Sequence, residues 1–171
     1  MSNEQPQQKP KFIKPQNRLK VKVGSGGIDQ KLIKEADEII NNNNIDFAPY
    51  AMKLLNKIKK TLDSGKENNP EAPSPTFIKS ISPPIMQIKA HGSLFHYHLL
   101  TDVANNILHF LEHTDVLNAD AYDLIEAHYN TMIVITKSHI RGDGGKAGDT
   151  LLQELSAARE RYIQKHIAKK K

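Results

Sequence analysis

The sequence predicts an all-α protein, a helical bundle with a four-helix core and an additional helix. Three observations lead there. Apolar residues recur at helical spacing in five segments, residues suited to helix starts stand before several of them, and strand-like alternation is confined to "RLKVKVG" in the N-terminal arm, a candidate edge strand. With 38% hydrophobic residues in 171, the chain can bury one core of ordinary size.

The first helical segment is "GGIDQKLIKEADEIINNNN". Asp29 suits an N-cap, and Ile28, Leu32, Ile33, Ala36, Ile39 and Ile40 share a face. The second is "IDFAPYAMKLLNKIKKTLDSG", capped by Asp46 with Pro49 in its first turn. Its stripe is Phe47, Tyr50, Ala51, Leu54, Leu55, Ile58 and Leu62, and Gly65 reads as its C-terminal stop. Residues 64–83 read as a linker, because prolines crowd it up to Pro84. A long third helix is expected from about Pro84 to His113, with Ile88, Phe95, Leu99, Val103, Ile107, Phe110 and Leu111 inward. A fourth runs from about Asn118 to Ile140 over Leu124, Ile125, Met132, Ile133 and Ile135. The last follows a glycine-rich turn and carries Leu151, Leu152, Leu155, Ala158, Tyr162 and Ile163, with Thr150 and Gln153 at capping-box spacing.

Charge divides the chain differently. Residues 1–27 carry six Lys/Arg against Glu4, and residues 156–171 carry six against Glu160. Each end is basic, while the body between them has an acidic excess. The expected organisation is a basic, mostly disordered arm over 1–27, a bundle over 28–165 and a basic tail over 166–171. Such arms suit nucleic acid or an acidic protein, or serve as solubilising tails. A basic-armed nucleic-acid or protein-binding module is therefore one functional class, although no aromatic stacking platform accompanies the charge.

Several chemistries are excluded or weakened. With no cysteine there is no disulfide, thiolate zinc site or cysteine nucleophile. The N-terminus lacks an apolar signal core and no later run reaches the length of a membrane span, so a cytoplasmic protein is expected. "RGDGGKAGDTLL" is not a phosphate-binding loop. Ile140 stands where the first glycine belongs, and Ala147 follows Lys146 where Ser or Thr belongs. The turn over 142–148 reads as a helix-to-helix corner whose glycines take positive φ, with an anion beside Lys146 as the functional alternative.

Eight histidines raise the question of metal. His109 and His113 share a helix face. A third ligand is not evident: Glu112 falls on a different face, and Glu126 or His128 would have to come from the neighbouring helix. No metal and no cofactor is expected.

A phosphoryl relay is the other use of a helical histidine. It needs an exposed imidazole, a lysine three residues on to offset phosphoryl charge, and a small residue after that to admit a partner. "IKAHGSLFHYHLLTDVANNILHFLE" resembles the phosphoacceptor helix of histidine phosphotransfer domains. The likeness is to small alphaproteobacterial proteins of two-component and chemotaxis systems. It extends to "NRLKVKVGSGGID", to Phe-x-Tyr followed by Leu and Thr-Asp, and to "IRGDGG", from about Asn17 to Tyr162. Lys89 matches the motif lysine and Ala90 the small residue. Met86 stands where the family carries its phosphorylated histidine, and a thioether accepts no phosphoryl group. His91 lies five positions along, roughly 140° around a helix from Met86.

The resemblance implies a non-enzymatic binding module, a degenerate phosphotransfer-like bundle. It would dock a receiver domain of a response regulator, or a histidine kinase, through Lys89, Ala90 and Ser93, without accepting phosphate at the usual site. The alternative is an active relay that uses His91 or another histidine.

Overall fold

The computed structural model describes residues 27–42, 45–68, 75–114 and 117–166. The chain divides into two units, Met1–Asn42 and Asn43–Lys171. Six α-helices and no strand occur among the described residues. The expectations for the 1–27 arm and the end of the 166–171 tail fall almost wholly outside them.

The first unit contributes α1, Gln30–Asn41. The Asp29 carboxylate accepts the Lys31 amide at 2.9 Å, as an N-cap does. Its apolar stripe stays exposed: Ile28, Leu32, Ile33, Ile39 and Ile40 all count among the exposed large hydrophobics. This helix belongs to the first of the two units, and the helices that follow belong to the second. Apolar periodicity foretells the helix, but not whether its face is covered.

In the second unit α2 spans Ala48–Asn68, α3 Pro75–Gly92, α4 His98–Glu112, α5 Ala119–Lys137 and α6 Gly145–His166. Helices α2 to α5 form a closed ring, α2 on α3, α3 on α4, α4 on α5 and α5 back on α2; α6 packs on α4 and α5. This is the expected four-helix core with an additional helix. Leu55, Ile58, Ile85, Ile88, Leu100, Val103, Ile107, Ile125 and Met132 are fully buried at its centre. Each such side chain contributes roughly 1.5–3 kcal/mol relative to exposure.

Asp46 caps α2 by accepting the Ala48 amide at 3.0 Å, and Asn118 caps α5 by accepting the Ala121 amide at 2.9 Å. Gly65 does not end α2, which continues to Asn68. It makes room instead. A Cβ there would lie 2.8 Å from the Phe77 ring and 3.1 Å from the Tyr122 ring, and those two rings meet edge-on at 5.6 Å.

The expected 64–83 linker is replaced by structure. Residues 64–68 belong to α2, and α3 starts at Pro75 with Pro83 and Pro84 inside it. Each interior proline removes one helical hydrogen bond and costs ~3 kcal/mol. Burial of Ile81, Pro84, Ile85 and Ile88 on the same helix offsets that cost. Tertiary packing overrides the local preference.

The single helix expected from Pro84 to His113 is two. α3 stops at Gly92, Ser93–Phe95 form a 3₁₀ turn, and His96 turns the chain with φ of 64° before α4. A Cβ on Gly92 would overlap Thr101 Oγ1 and lie 3.2 Å from the Tyr97 carbonyl, so this close turn requires glycine.

The glycine corner behaves as the sequence predicts, with positive φ at Gly142, Gly144 and Gly145. It is also tied to the α3–α4 turn. The Gly142 amide donates to the His96 carbonyl at 2.6 Å, and the Leu99 amide donates to the Gly142 carbonyl at 2.9 Å. α6 starts at Gly145, five residues before Thr150. Thr150 is thus inside the helix, donating to the Lys146 carbonyl at 2.9 Å, and the capping box with Gln153 does not form.

Candidate functional site, the groove between α3 and α4

Because α3 and α4 fold back on each other, each turns one stripe toward a shared open groove of about 470 Å³. From α3 come Met86, Lys89 and Ala90, spaced i, i+3 and i+4. The alternate face of the same helix, Ile85 and Ile88, is fully buried. From α4 come Thr101, Asn105, Leu108, His109 and Glu112. Met86 is 58% exposed, a large apolar side chain left open to solvent. Lys89 and Ala90 beside it are also exposed.

Ser93 lies in the turn that closes one end of the groove. It is exposed, and its hydroxyl donates to Thr101 Oγ1 at 3.2 Å. Of the four residues singled out from the sequence, Met86, Lys89 and Ala90 line the groove, and Ser93 stands beside it through Thr101.

His91 does not join them. Its ring is partly buried in an aromatic nest, with centroids 6.4 Å from Phe47 and 5.9 Å from Tyr50. Its Nδ1–H donates to the Gln87 carbonyl at 2.8 Å. The Tyr50 hydroxyl donates to Gln87 Oε1 at 3.1 Å and tethers the neighbouring residue.

His109 is the groove residue that helix-face counting assigned elsewhere. It pairs not with His113 but with Glu112, whose carboxylate oxygen lies 3.6 Å from its Nδ1, so Glu112 is not turned away. His113 donates its Nδ1–H to the His109 carbonyl at 2.8 Å. Glu126 is held by Lys59 and Lys66, which draw its carboxyl below the usual range, the Lys66 contact most strongly. His128 is completely buried. Among the described residues no group of three or more His, Asp or Glu side chains is arranged to hold a metal ion.

At the glycine corner the first amide of α6 is taken. Asp143 Oδ1 accepts the Gly145 N–H at 2.8 Å, so a carboxylate of the chain itself occupies part of the place an anion would need. No helix among the described residues is long and apolar enough to cross a membrane.

Compared with known proteins, the chain matches no family model, no curated protein and no solved structure. What the groove offers must be read from its own residues. It presents one cation, one exposed thioether, a small residue that leaves room above α3, and a polar wall on α4.

Proposed function

We propose that the α3–α4 groove is a protein-docking face, and that the chain is a degenerate histidine phosphotransfer-like bundle that binds a receiver domain or histidine kinase without accepting phosphate at position 86. One observation carries this: Met86 is 58% exposed beside Lys89 and Ala90 on an open groove, not buried as core. An exposed, unbranched thioether is an adaptable apolar contact for a protein surface. Lys89 supplies a cation for an acidic partner, and Ala90 leaves space for the partner's backbone. The motif likeness of Lys89 and Ala90 to phosphotransfer domains supplies the partner class. The activity is binding, not catalysis, and such a partner would set the protein to work in the cytoplasm.

Incubation with a phosphorylated receiver tests this. The wild-type chain is expected to bind and to carry no acid-labile phosphate. Met86→His is expected to gain it, since a solvent-facing neutral imidazole at that position is the nucleophile the transfer needs. Acid-labile phosphate on wild type that disappears in His91→Ala or His109→Ala would show an active relay and overturn the proposal.

A further inference from the structure

A separate cavity lies where α5 and α6 meet at the glycine corner, and none of its lining residues belongs to α3. Its volume is about 320 Å³, at the small end of ligand sites, which run from roughly 300 Å³ upward. One face of α5 supplies Asn130, Thr131 and Val134, and one face of α6 supplies Ala147, Gly148 and Leu151. Small residues at the start of α6 keep the space open. Ala147 has only a methyl group, and Gly148 has no side chain because a Cβ there would overlap the Asp143 carbonyl. Leu99, 2% exposed, lies against Gly144 and Gly148 as an apolar floor. Val134 on the wall is 58% exposed, a large apolar side chain that the fold leaves uncovered.

Polar groups are few. Of the two polar side chains in the lining, Thr131 donates its hydroxyl to the Ala127 carbonyl at 2.9 Å. Asn130 is exposed, and its side chain makes no hydrogen bond among the described residues. No charged residue lines the cavity. Beside it, Asp143 accepts the Gly145 amide, so a carboxylate of the chain itself already stands at the start of α6.

We infer that this cavity binds an uncharged, mostly apolar small molecule carrying one hydrogen-bonding group. Its hydrocarbon part lies between Val134 and Leu151 over Leu99, and its polar group meets the Asn130 amide. Burying hydrocarbon there removes apolar surface from water on both partners. Asn130 offers both an N–H donor and a carbonyl acceptor, so a ketone, amide or alcohol can pair with it. An anion would lose hydration with no counter-ion on the walls and with the Asp143 carboxylate beside it. The site shares no residue with the α3–α4 groove and does not depend on the docking proposed above.

Octan-2-one and octanoate make a matched pair of probes, similar in length but one uncharged and one anionic. Each is titrated into the full chain and followed through the backbone amide signals of Val134, Ala147 and Leu151. Octan-2-one is expected to shift these signals saturably and to bind about tenfold more tightly than octanoate. Asn130→Ala is expected to weaken octan-2-one about threefold by removing its polar contact. Ala147→Phe fills the space from an exposed helix position and is expected to weaken it about tenfold or more, with the melting temperature unchanged. Should that variant melt low, Val134→Asp places a charge on the wall from a side chain already in water, and is expected to weaken octan-2-one likewise. Octanoate bound as tightly as the ketone, or octan-2-one bound equally by a folded Ala147→Phe or Val134→Asp variant, would overturn the assignment. Movement of the same signals on raising the protein concentration alone would make a second copy of the chain the occupant and overturn it too.

Discussion

Two sets of the same chemistry lie on opposite sides of α4. One faces the α3–α4 groove: Lys89, Asn105 and His109. The other lies where α4, α5 and α6 meet: Arg159, Asn106 and His128. Adjacent asparagines in the sequence point to different worlds. Asn106 is 7% exposed, its amide donating to Ser156 Oγ at 2.6 Å. Arg159 approaches its amide oxygen at 3.5 Å, and His128 Nε2 lies 3.3 Å from the same oxygen. His128 Nδ1–H donates to the Leu124 carbonyl at 2.8 Å. In the inner set Asn106 meets Ser156, Arg159 and the His128 ring, while in the groove no side-chain hydrogen bond or ion pair of Lys89 or Asn105 occurs among the described residues. A cation, an amide and an imidazole make a structural joint in one place and an open, solvent-facing surface in the other. Burial decides which.

The largest effect expected from this contrast is on stability. Asn106→Ala leaves Ser156 without its amide donor inside the bundle and should cost about 2 kcal/mol, read from the denaturant midpoint. Asn105→Ala, its neighbour, should stay within about 0.5 kcal/mol. Equal losses would erase the distinction between the two sets.

The next effect is on pH. Burial holds the His128 imidazole below its ordinary value; the Leu124 carbonyl pulls it up by less, and the positive charge of Arg159 pushes it down by less still. A base with a lowered folded pKa is protonated first in the unfolded chain. Stability from neutral His128 is therefore complete above the ordinary histidine value, about 6.5, and is lost as pH falls below it, at up to about 1.4 kcal/mol per pH unit. Thermal melts between pH 8 and pH 5 should show this slope, and His128→Gln should reduce it. An unchanged slope in the variant would assign it to another group.

On the exposed side the effects are on binding. Ala90→Trp should weaken receiver binding about tenfold, or ~1.4 kcal/mol, by filling the space above α3, with the melting temperature unchanged. Loss of fold with loss of binding would mean that Ala90 is structural. The smallest effect is expected of Met86→Gln on stability, within about 0.5 kcal/mol, because the side chain is already in water. A loss of several times that size in chemical denaturation would return Met86 to the core.

Much of the fold can be read along the chain. The stripes of α2, α4 and α5 and the caps Asp29 and Asp46 follow from local spacing and local hydrogen bonds. So do Met86, Lys89 and Ala90 as one face, since i, i+3 and i+4 neighbours need only a helix. What could not be read depends on residues far away in sequence. Pro83 and Pro84 stay helical because α3 buries its isoleucines against other helices. Gly92 breaks the long helix because Thr101 and Tyr97 close over it. That break in turn brings His109 across from Lys89. On one continuous helix, residues 20 apart would be separated by roughly 30 Å. His109 reads along the chain as half of a pair with His113; its pairing with Glu112 is local to α4, and only its place across the groove from Lys89 depends on the turn at 92–97.

The two backbone hydrogen bonds made by Gly142 have a consequence for how the protein opens. Its amide is held by His96 and its carbonyl by Leu99, so the α3–α4 turn and the α5–α6 corner share one residue as a clasp. Neither segment can fray alone without breaking it. The two loops should behave as one cooperative opening unit, and the Gly142 amide should exchange its hydrogen far more slowly than its place in a turn suggests. Because the same clasp lies in the turn that carries Ser93, next to Thr101 of the groove, each such opening event would also loosen that end of the groove.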